Sequence, residues 1–150
     1  MKNILVTGGT GFVGSHLLYK LTLYGYTPVA IKRKSSNLDV LKNIFCSYKN
    51  KTNLFEKIHW INADLNNKSD LNKLLIDIDT VFHCAALVSF NKREKDLMLQ
   101  TNYIGTKNLV NLSLQNSVSK FCYVSSIATL SNNISDILVN ETCWFSFDEK

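Results

Sequence analysis

KNILVTGGTGFVGSHLLYKLTLY, Lys2 to Tyr24, is the stretch around which the rest of the chain arranges itself. Asn3 to Val6 is a short apolar run of the kind that fills a central parallel strand. Phe12, Val13, Leu17, Leu18 and Leu21 then recur at helical spacing. Between them lies a glycine turn that satisfies two spacings at once. Gly9, Gly11 and Gly14 spell G-x-G-x-x-G, while Gly8, Gly11 and Gly14 spell the wider G-x-x-G-x-x-G; both keep Gly11 and Gly14. Glycine serves such a turn in three ways: tight backbone angles, unhindered approach of main chain to a pyrophosphate, and close packing of helix on strand. Free N–H groups and the positive end of the helix dipole then face the phosphates. Glycine turns also join strands to helices where nothing binds, but a strand before and a helix after form the context in which the pattern denotes a dinucleotide site.

Outward from this element, Gly25 is a natural helix stop, and Pro28 to Ile31 reads as a second strand ending in Lys32, Arg33 and Lys34. In dinucleotide folds an acidic residue roughly 20 positions beyond the glycines takes the ribose hydroxyls, whereas a basic residue there accommodates a 2′-phosphate. No acid stands at this strand end. At least one of the two lysines reads as a solvated terminus, and Arg33 is the better phosphate ligand because its planar fork donates two parallel charge-assisted hydrogen bonds. Leu38, Leu41, Ile44 and Phe45 suggest a helix, Lys49 to Asn53 a polar loop and Lys57 to Asn62 a third strand. Asp64 either caps the following helix or receives the adenine amino group; spacing leaves both open. Leu71, Leu74, Leu75 and Ile76 mark that short helix. Thr80 to His83 continues into Cys84, Ala85 and Ala86, a fourth strand whose small residues end it where a cofactor or a helix comes close.

A long helical segment from Lys92 to Asn116, interrupted near Gly105, carries Asn102 as either a helix–helix partner or a holder of nearby loops. Phe121 to Val124 is the fifth strand, and it ends in Ser125 and Ser126. Spacing alone reads these serines as turn residues at the edge where ligands lie in doubly wound sheets. The alternation of strands and helices predicts an α/β fold, a doubly wound parallel sheet with helices on both faces in three layers.

A length of 150 residues suits one domain but is small for an enzyme that must bind both a dinucleotide and a substrate. With 45% hydrophobic and 19% charged residues, and no apolar run of membrane-span length, the chain reads as soluble with no membrane partner. Met1 and Lys2 run directly into the first strand, so a cytoplasmic location is the default expectation. Cys46, Cys84, Cys122 and Cys143 are scattered without a C-x-x-C pair, which suggests reduced thiols and neither zinc nor a disulfide framework. His16, His59 and His83 lack metal-ligand spacing and read as structural. The +5 charge is dispersed, with no basic helix interleaved with aromatics, so nucleic acid is not an expected partner.

Taken together, these residues resemble the amino-terminal half of an extended short-chain dehydrogenase/reductase of the NAD(P)-dependent epimerase/dehydratase family, which implies a Rossmann fold. TGGTGFVGSH from Thr7 to His16 resembles that family's phosphate loop, and ADL from Ala63 to Leu65 its adenine contact. VFHCAA from Val81 to Ala86 is similar to its fourth-strand motif, TNYIGTKNLV from Thr101 to Val110 to its Asn-x-x-Gly-Thr helix, and YVSSIA from Tyr123 to Ala128 to the strand with the catalytic serine or threonine. The resemblance implies backbone N–H groups of Phe12 and Val13 on the pyrophosphate, Asp64 and Leu65 flanking adenine, Cys84, Ala85 and Ala86 lining the cofactor, and Asn102 ordering the loops. Ser126 aligns with the residue that holds the substrate oxygen, with Ser125 its near alternative. Arg33 matches the arginine of NADP-using dihydroflavonol-reductase-like members, and Lys32 stands where NAD-using epimerases carry Asp. NADP is therefore the expected cofactor, with NAD as the alternative.

One family feature is missing. Members use the tyrosine of a Tyr-x-x-x-Lys pair that follows the serine, whose lysine lowers the tyrosine pKa from about 10. Tyr103 and Lys107 spell this pair but precede the serine, and the match reads as accidental. Glu141 and Trp144 resemble the lead-in to the true tyrosine. The expectation is a cofactor-binding domain over residues 1–150, truncated after the fifth strand. The parent would transfer hydride between a nicotinamide and a carbonyl or hydroxyl of a small-molecule substrate, nucleotide sugars included, as a homodimer. The chain alone would be inactive and prone to associate through uncovered surface on the fifth strand and the long helix. A non-catalytic NAD(P)-binding sensor or scaffold is the alternative.

Overall fold

Four-residue apolar strands, each too short to be stable alone, are paired here into one parallel sheet. In the computed structural model, which describes residues 3–47 and 52–130, the strands are β1 (Ile4–Thr7), β2 (Val29–Lys32), β3 (His59–Asn62), β4 (Thr80–His83) and β5 (Lys120–Tyr123). Their order is β3-β2-β1-β4-β5. The chain therefore winds outward from β1 to β3, then returns to the far side of β1 for β4 and β5. Register places Val6 beside Ala30 and Phe82, and Thr7 beside His83.

Alternate residues of the buried strands feed two cores, as a parallel sheet covered on both faces requires. On one face Ile4, Val6 and Ala30 pack with Leu18 and Tyr19 of α1 (Phe12–Leu23), Leu41 and Phe45 of α2 (Asp39–Ser47), and Phe55. On the other, Leu5, Ile31 and Val81 pack with Leu71 and Leu75 of α3 (Lys68–Leu75) and Leu109 of the last helix. The three-layer doubly wound architecture expected from the alternation is the one observed.

Several local expectations change. Phe12 and Val13 do not face the core: Phe12 is 79% exposed, and α1 buries Gly14, Ser15, Leu18, Tyr19, Leu21 and Thr22 instead. Gly14 must lie against the glycine turn, which fixes the buried face of the helix and turns Phe12 and Val13 outward. A 3-10 turn at Thr52–Lys57, with Leu54 and Phe55 buried, precedes β3 where a polar loop and strand start were expected. Ile76 is exposed just past α3. The long segment after β4 is not one uniform helix. A 3-10 turn (Lys92–Glu94) leads into α4 (Lys95–Met98), then a π-helical stretch (Leu99–Gly105), then α5 (Thr106–Gln115). The widened turn is the interruption read near Gly105. Tyr123, Val124, Ile127, Leu97, Leu99 and Leu114 are exposed along β5 and this segment. No helix among the described residues is long and apolar enough to cross a membrane. Glu141, Cys143 and Trp144 lie outside the described residues.

Candidate cofactor site

Where β1 and β4 lie side by side, the connections leaving their carboxyl ends diverge, one toward β2 and the other toward β5. This switch point is where doubly wound sheets hold ligands. A cleft of about 390 Å³ opens there, lined by Thr7, Gly8, Thr10 and Gly11 after β1, Ile31 to Arg33 and Ser36 after β2, Ala63 to Asn66 after β3, and Cys84 to Leu87 after β4, with Leu97 and Thr101 above.

The glycine turn forms the floor. Gly8 has φ +67°, and a Cβ there would stand 2.5 Å from the Ala85 nitrogen, so only glycine both adopts this angle and clears the neighbouring strand. Gly14 seats the first turn of α1 directly on the Gly8 carbonyl. Gly8 and Gly14 are thus the sterically demanding positions of the wider spacing. Gly11 caps α1 without any side-chain hydrogen bond, leaving the opening N–H groups, Phe12 and Val13 among them, without a covering side chain. An anion fits such a helix start.

At the β2 end Lys32 and Arg33 differ. Lys32 Nζ donates to Asn62 Oδ1 at 2.8 Å across the β2–β3 pair, so this lysine is engaged within the sheet. Arg33 is exposed, its backbone N–H held by Ser36 Oγ at 3.2 Å. It lines both the main cleft and an adjoining hollow bounded by Lys34, Asn62, Ala63, Asp64 and Asp70. Asp64 does not cap α3. Asn67 does, its side chain accepting from the Asp70 N–H at 3.2 Å, while Asp64 Oδ1 accepts from the Asn66 backbone at 2.9 Å. Leu65 is buried beneath Gly105, where a Cβ would meet Leu65 Cβ at 3.0 Å, and its carbonyl accepts from Asn108 Nδ2.

Asn102, which spacing left between two roles, is a loop holder. Its Oδ1 accepts from the Leu87 N–H and its Nδ2 donates to the Leu87 carbonyl, both at 2.8 Å. The π-helical stretch that carries it is the kind of helical irregularity found frequently at functional sites. Asn102→Ala is expected to leave both Leu87 groups unpaired, lowering stability by about 1–2 kcal/mol and raising amide exchange at Leu87, which hydrogen exchange read by NMR checks.

Behind the opposite wall, at the end of β4, lies a strongly perturbed titratable group. His83 is fully buried, its Nδ1 2.6 Å from Thr7 Oγ1 and its Nε2 2.8 Å from Thr106 Oγ1. Burial pushes its pKa from 6.5 down to about 4, so the ring is neutral at pH 7. Cys84 is half-buried in the cleft, and burial together with the nearby Cys122 raises its thiol pKa, which disfavours a nucleophilic thiolate.

Of the residues expected at a site, Gly8, Gly11, Lys32, Arg33, Asp64, Leu65, Cys84, Ala85 and Ala86 meet on this cleft. Gly14 and Asn102 support it from behind. Ser125 and Ser126 do not line it: both are exposed beyond β5, in a turn where Thr129 Oγ1 donates to the Ser126 carbonyl at 2.6 Å. Tyr103 and Lys107 do not line it either; Lys107 Nζ lies 5.9 Å from the Tyr103 ring, which is exposed. Ser36, Asn66, Leu87 and Leu97 also line it without having been singled out, and Thr7, Thr10 and Thr101 line it from within motifs quoted only as wholes. Ser36 had a signal in standing three residues after Arg33.

A family model, NAD dependent epimerase/dehydratase family, matches residues 4–143. The chain belongs to this family. It is 32% identical over 125 residues to a Synechocystis sp. protein provisionally named dihydroflavonol 4-reductase, covering 83% of this chain and 33% of that one. It is 30% identical over 135 residues to the sterol-4-alpha-carboxylate 3-dehydrogenase, decarboxylating, of Dictyostelium discoideum, covering 88% and 38%. Among solved structures, a UDP-glucuronic acid 4-epimerase of Bacillus cereus in complex with NAD superposes with a TM-score of 0.72 at 28% identity, covering 97% of this chain and 46% of that one. The chain spans about a third of the length of these two curated relatives. The cleft residues fit the dinucleotide of this family: a glycine floor that a Cβ would fill, an anion-ready helix start and an exposed arginine at the strand end.

Proposed function

We propose that this chain is the cofactor-binding part of a longer NADP(H)-dependent oxidoreductase or epimerase that acts on a carbonyl or hydroxyl substrate. The observation that carries the reading is one continuous cleft at the β1/β4 switch, bounded by the glycine turn, the cationic end of β2 and the small-residue wall 84–86. In it, Thr10, Gly11 and the opening N–H groups of α1 hold the pyrophosphate. Asp64 and Leu65 flank the adenine. Cys84, Ala85 and Ala86 present little bulk to the remainder of the dinucleotide.

The cofactor itself supplies hydride chemistry when bound, while the protein binds and orients it. Ser126, with Ser125 as its alternative, hydrogen-bonds the reacting oxygen from beyond β5.

The preference for the 2′-phosphorylated cofactor rests on Arg33. Lys32 donates to Asn62, whereas Arg33 lines the cleft and carries the planar fork that pairs with a phosphate. Arg33→Ala is expected to weaken NADPH binding about tenfold and to leave NADH nearly unchanged, since an exposed charge-assisted pair contributes on the order of 1.5 kcal/mol. Calorimetric titration of both cofactors into both proteins tests it. Equal affinities before and after the substitution would remove the assignment, and absence of binding by either cofactor would remove the cofactor reading altogether.

A further inference from the structure

We propose that His83 is a positioning residue for the cofactor cleft: by fixing the hydroxyls of Thr7 and Thr106 it sets the wall 85–87 against the glycine turn. This rests on the cofactor reading above, and it concerns a side chain that does not itself line the cleft.

Hydrogen-bond accounting defines the state of the ring. Thr7 is 1% exposed, so its hydroxyl proton has no access to water. Thr7 Oγ1 accepts from the Ala85 N–H at 3.3 Å and lies 2.6 Å from His83 Nδ1. The arrangement that gives every buried donor an acceptor has Thr7 donating to an unprotonated Nδ1 and His83 Nε2–H donating to Thr106 Oγ1. A proton on Nδ1 would leave the Thr7 hydroxyl proton without a partner. The stacked Tyr123 ring, with centroids 5.5 Å apart, and the Phe121 ring hold the imidazole plane in place.

Two lines run from the ring to the cleft. Through Thr7 the ring reaches the Ala85 N–H, and the 84–85 peptide is packed so closely on Gly8 that no Cβ fits between them. A shift of this peptide therefore moves the phosphate floor. Through Thr106 the ring reaches the start of α5, next to Gly105, on which Leu65 rests, and one turn after Asn102, which grips Leu87. The Thr7 and Asn102 clamps bracket Ala86. His83 joins them, and the pair of threonines at 7 and 106 is what distinguishes a joint from a filler of the core.

The test compares the 150-residue chain with His83→Leu, His83→Gln, Thr106→Val and the double variant H83L/T106V. His83→Leu keeps apolar bulk between Phe121 and Tyr123 but removes both ring nitrogens. Expected are shifts of the Ala85 and Leu87 amide resonances in NMR spectra without any ligand, and NADPH binding weakened about tenfold, the loss that follows from one displaced set of backbone contacts. His83→Gln restores part of that affinity. Thr106→Val weakens binding to a similar degree, and the double variant is no worse than the weaker single one, because both cut the same connection. Unmoved Ala85 and Leu87 amides in a folded His83→Leu or Thr106→Val chain would overturn the proposal. So would a lower melting temperature with unchanged NADPH affinity, which denotes a merely structural residue. If His83→Leu does not fold, Thr106→Val alone decides between these outcomes. The ligand-free amide shifts separate this inference from the cofactor reading: shifts without NADPH binding by the parent chain would retain the joint and reject the cofactor.

Discussion

Gly14→Ala is expected to abolish measurable NADPH binding and to lower stability by about 2–3 kcal/mol, near the upper end for overpacking. An added Cβ would collide with the Gly8 carbonyl oxygen and lie 2.7 Å from its carbonyl carbon and 2.9 Å from Gly9 Cα. All three are main-chain atoms, so no side chain swings away to relieve the contact. The helix must instead lift from the turn, which separates the opening N–H groups of α1 from the floor they share with Gly8. Gly11 gives the contrast. There a Cβ meets only the Gly8 carbonyl oxygen, at 3.3 Å, so Gly11→Ala is expected to cost well under half as much. Urea denaturation and calorimetric titration of the two variants check the pair, and equal losses for both would contradict the packing described for Gly14.

Acid should destabilise the fold through His83. Its folded pKa of about 4 lies below the ordinary 6.5, so between these values the unfolded chain binds the proton and the folded chain does not. Stability therefore rises with pH across this window: the contribution of the neutral ring is fully present above about pH 6.5 and is lost as pH falls to about 4. The full loss is on the order of 3 kcal/mol. Carboxylates also begin to titrate at the lower end, so the measurement is a difference. Urea midpoints of the parent chain and of His83→Gln are compared at pH 7 and pH 4.5. The parent should lose more stability than the variant over that interval, and parallel losses would show that His83 does not titrate in this way.

Much of the fold was legible in the order of residues because its determinants are local. Five short strands at the right spacing, the glycine turn between strand and helix, Gly25 as a stop at φ +87° and the small residues after β4 each act over a few neighbours, and each is found within a residue or two of where expected. The site was legible to the extent that it is made of those same segments. Asp64 shows the limit: spacing allowed a cap, and only the nearer Asn67 turning its side chain onto Asp70 removed that role. Phe12 and Val13 show another, since helical periodicity counts apolar residues but does not record which face the seat of Gly14 selects.

By itself, then, the sequence determined the winding of the sheet, the place of the glycine floor and the cationic end of β2, because these follow from periodicity, backbone sterics and charge within short windows. Only the tertiary structure decided that Lys32 is tied to Asn62, what Asn102 holds and why His83 is neutral. Those depend on Lys32 meeting Asn62 30 residues later, Asn102 meeting Leu87 across 15, and Thr7 meeting His83 across 76. Such pairs are set by strand register and by the approach of α5 to the sheet, and the physical reason is plain: a polar group taken out of water is defined by the partner that satisfies it, and that partner is brought near by the fold rather than by the chain.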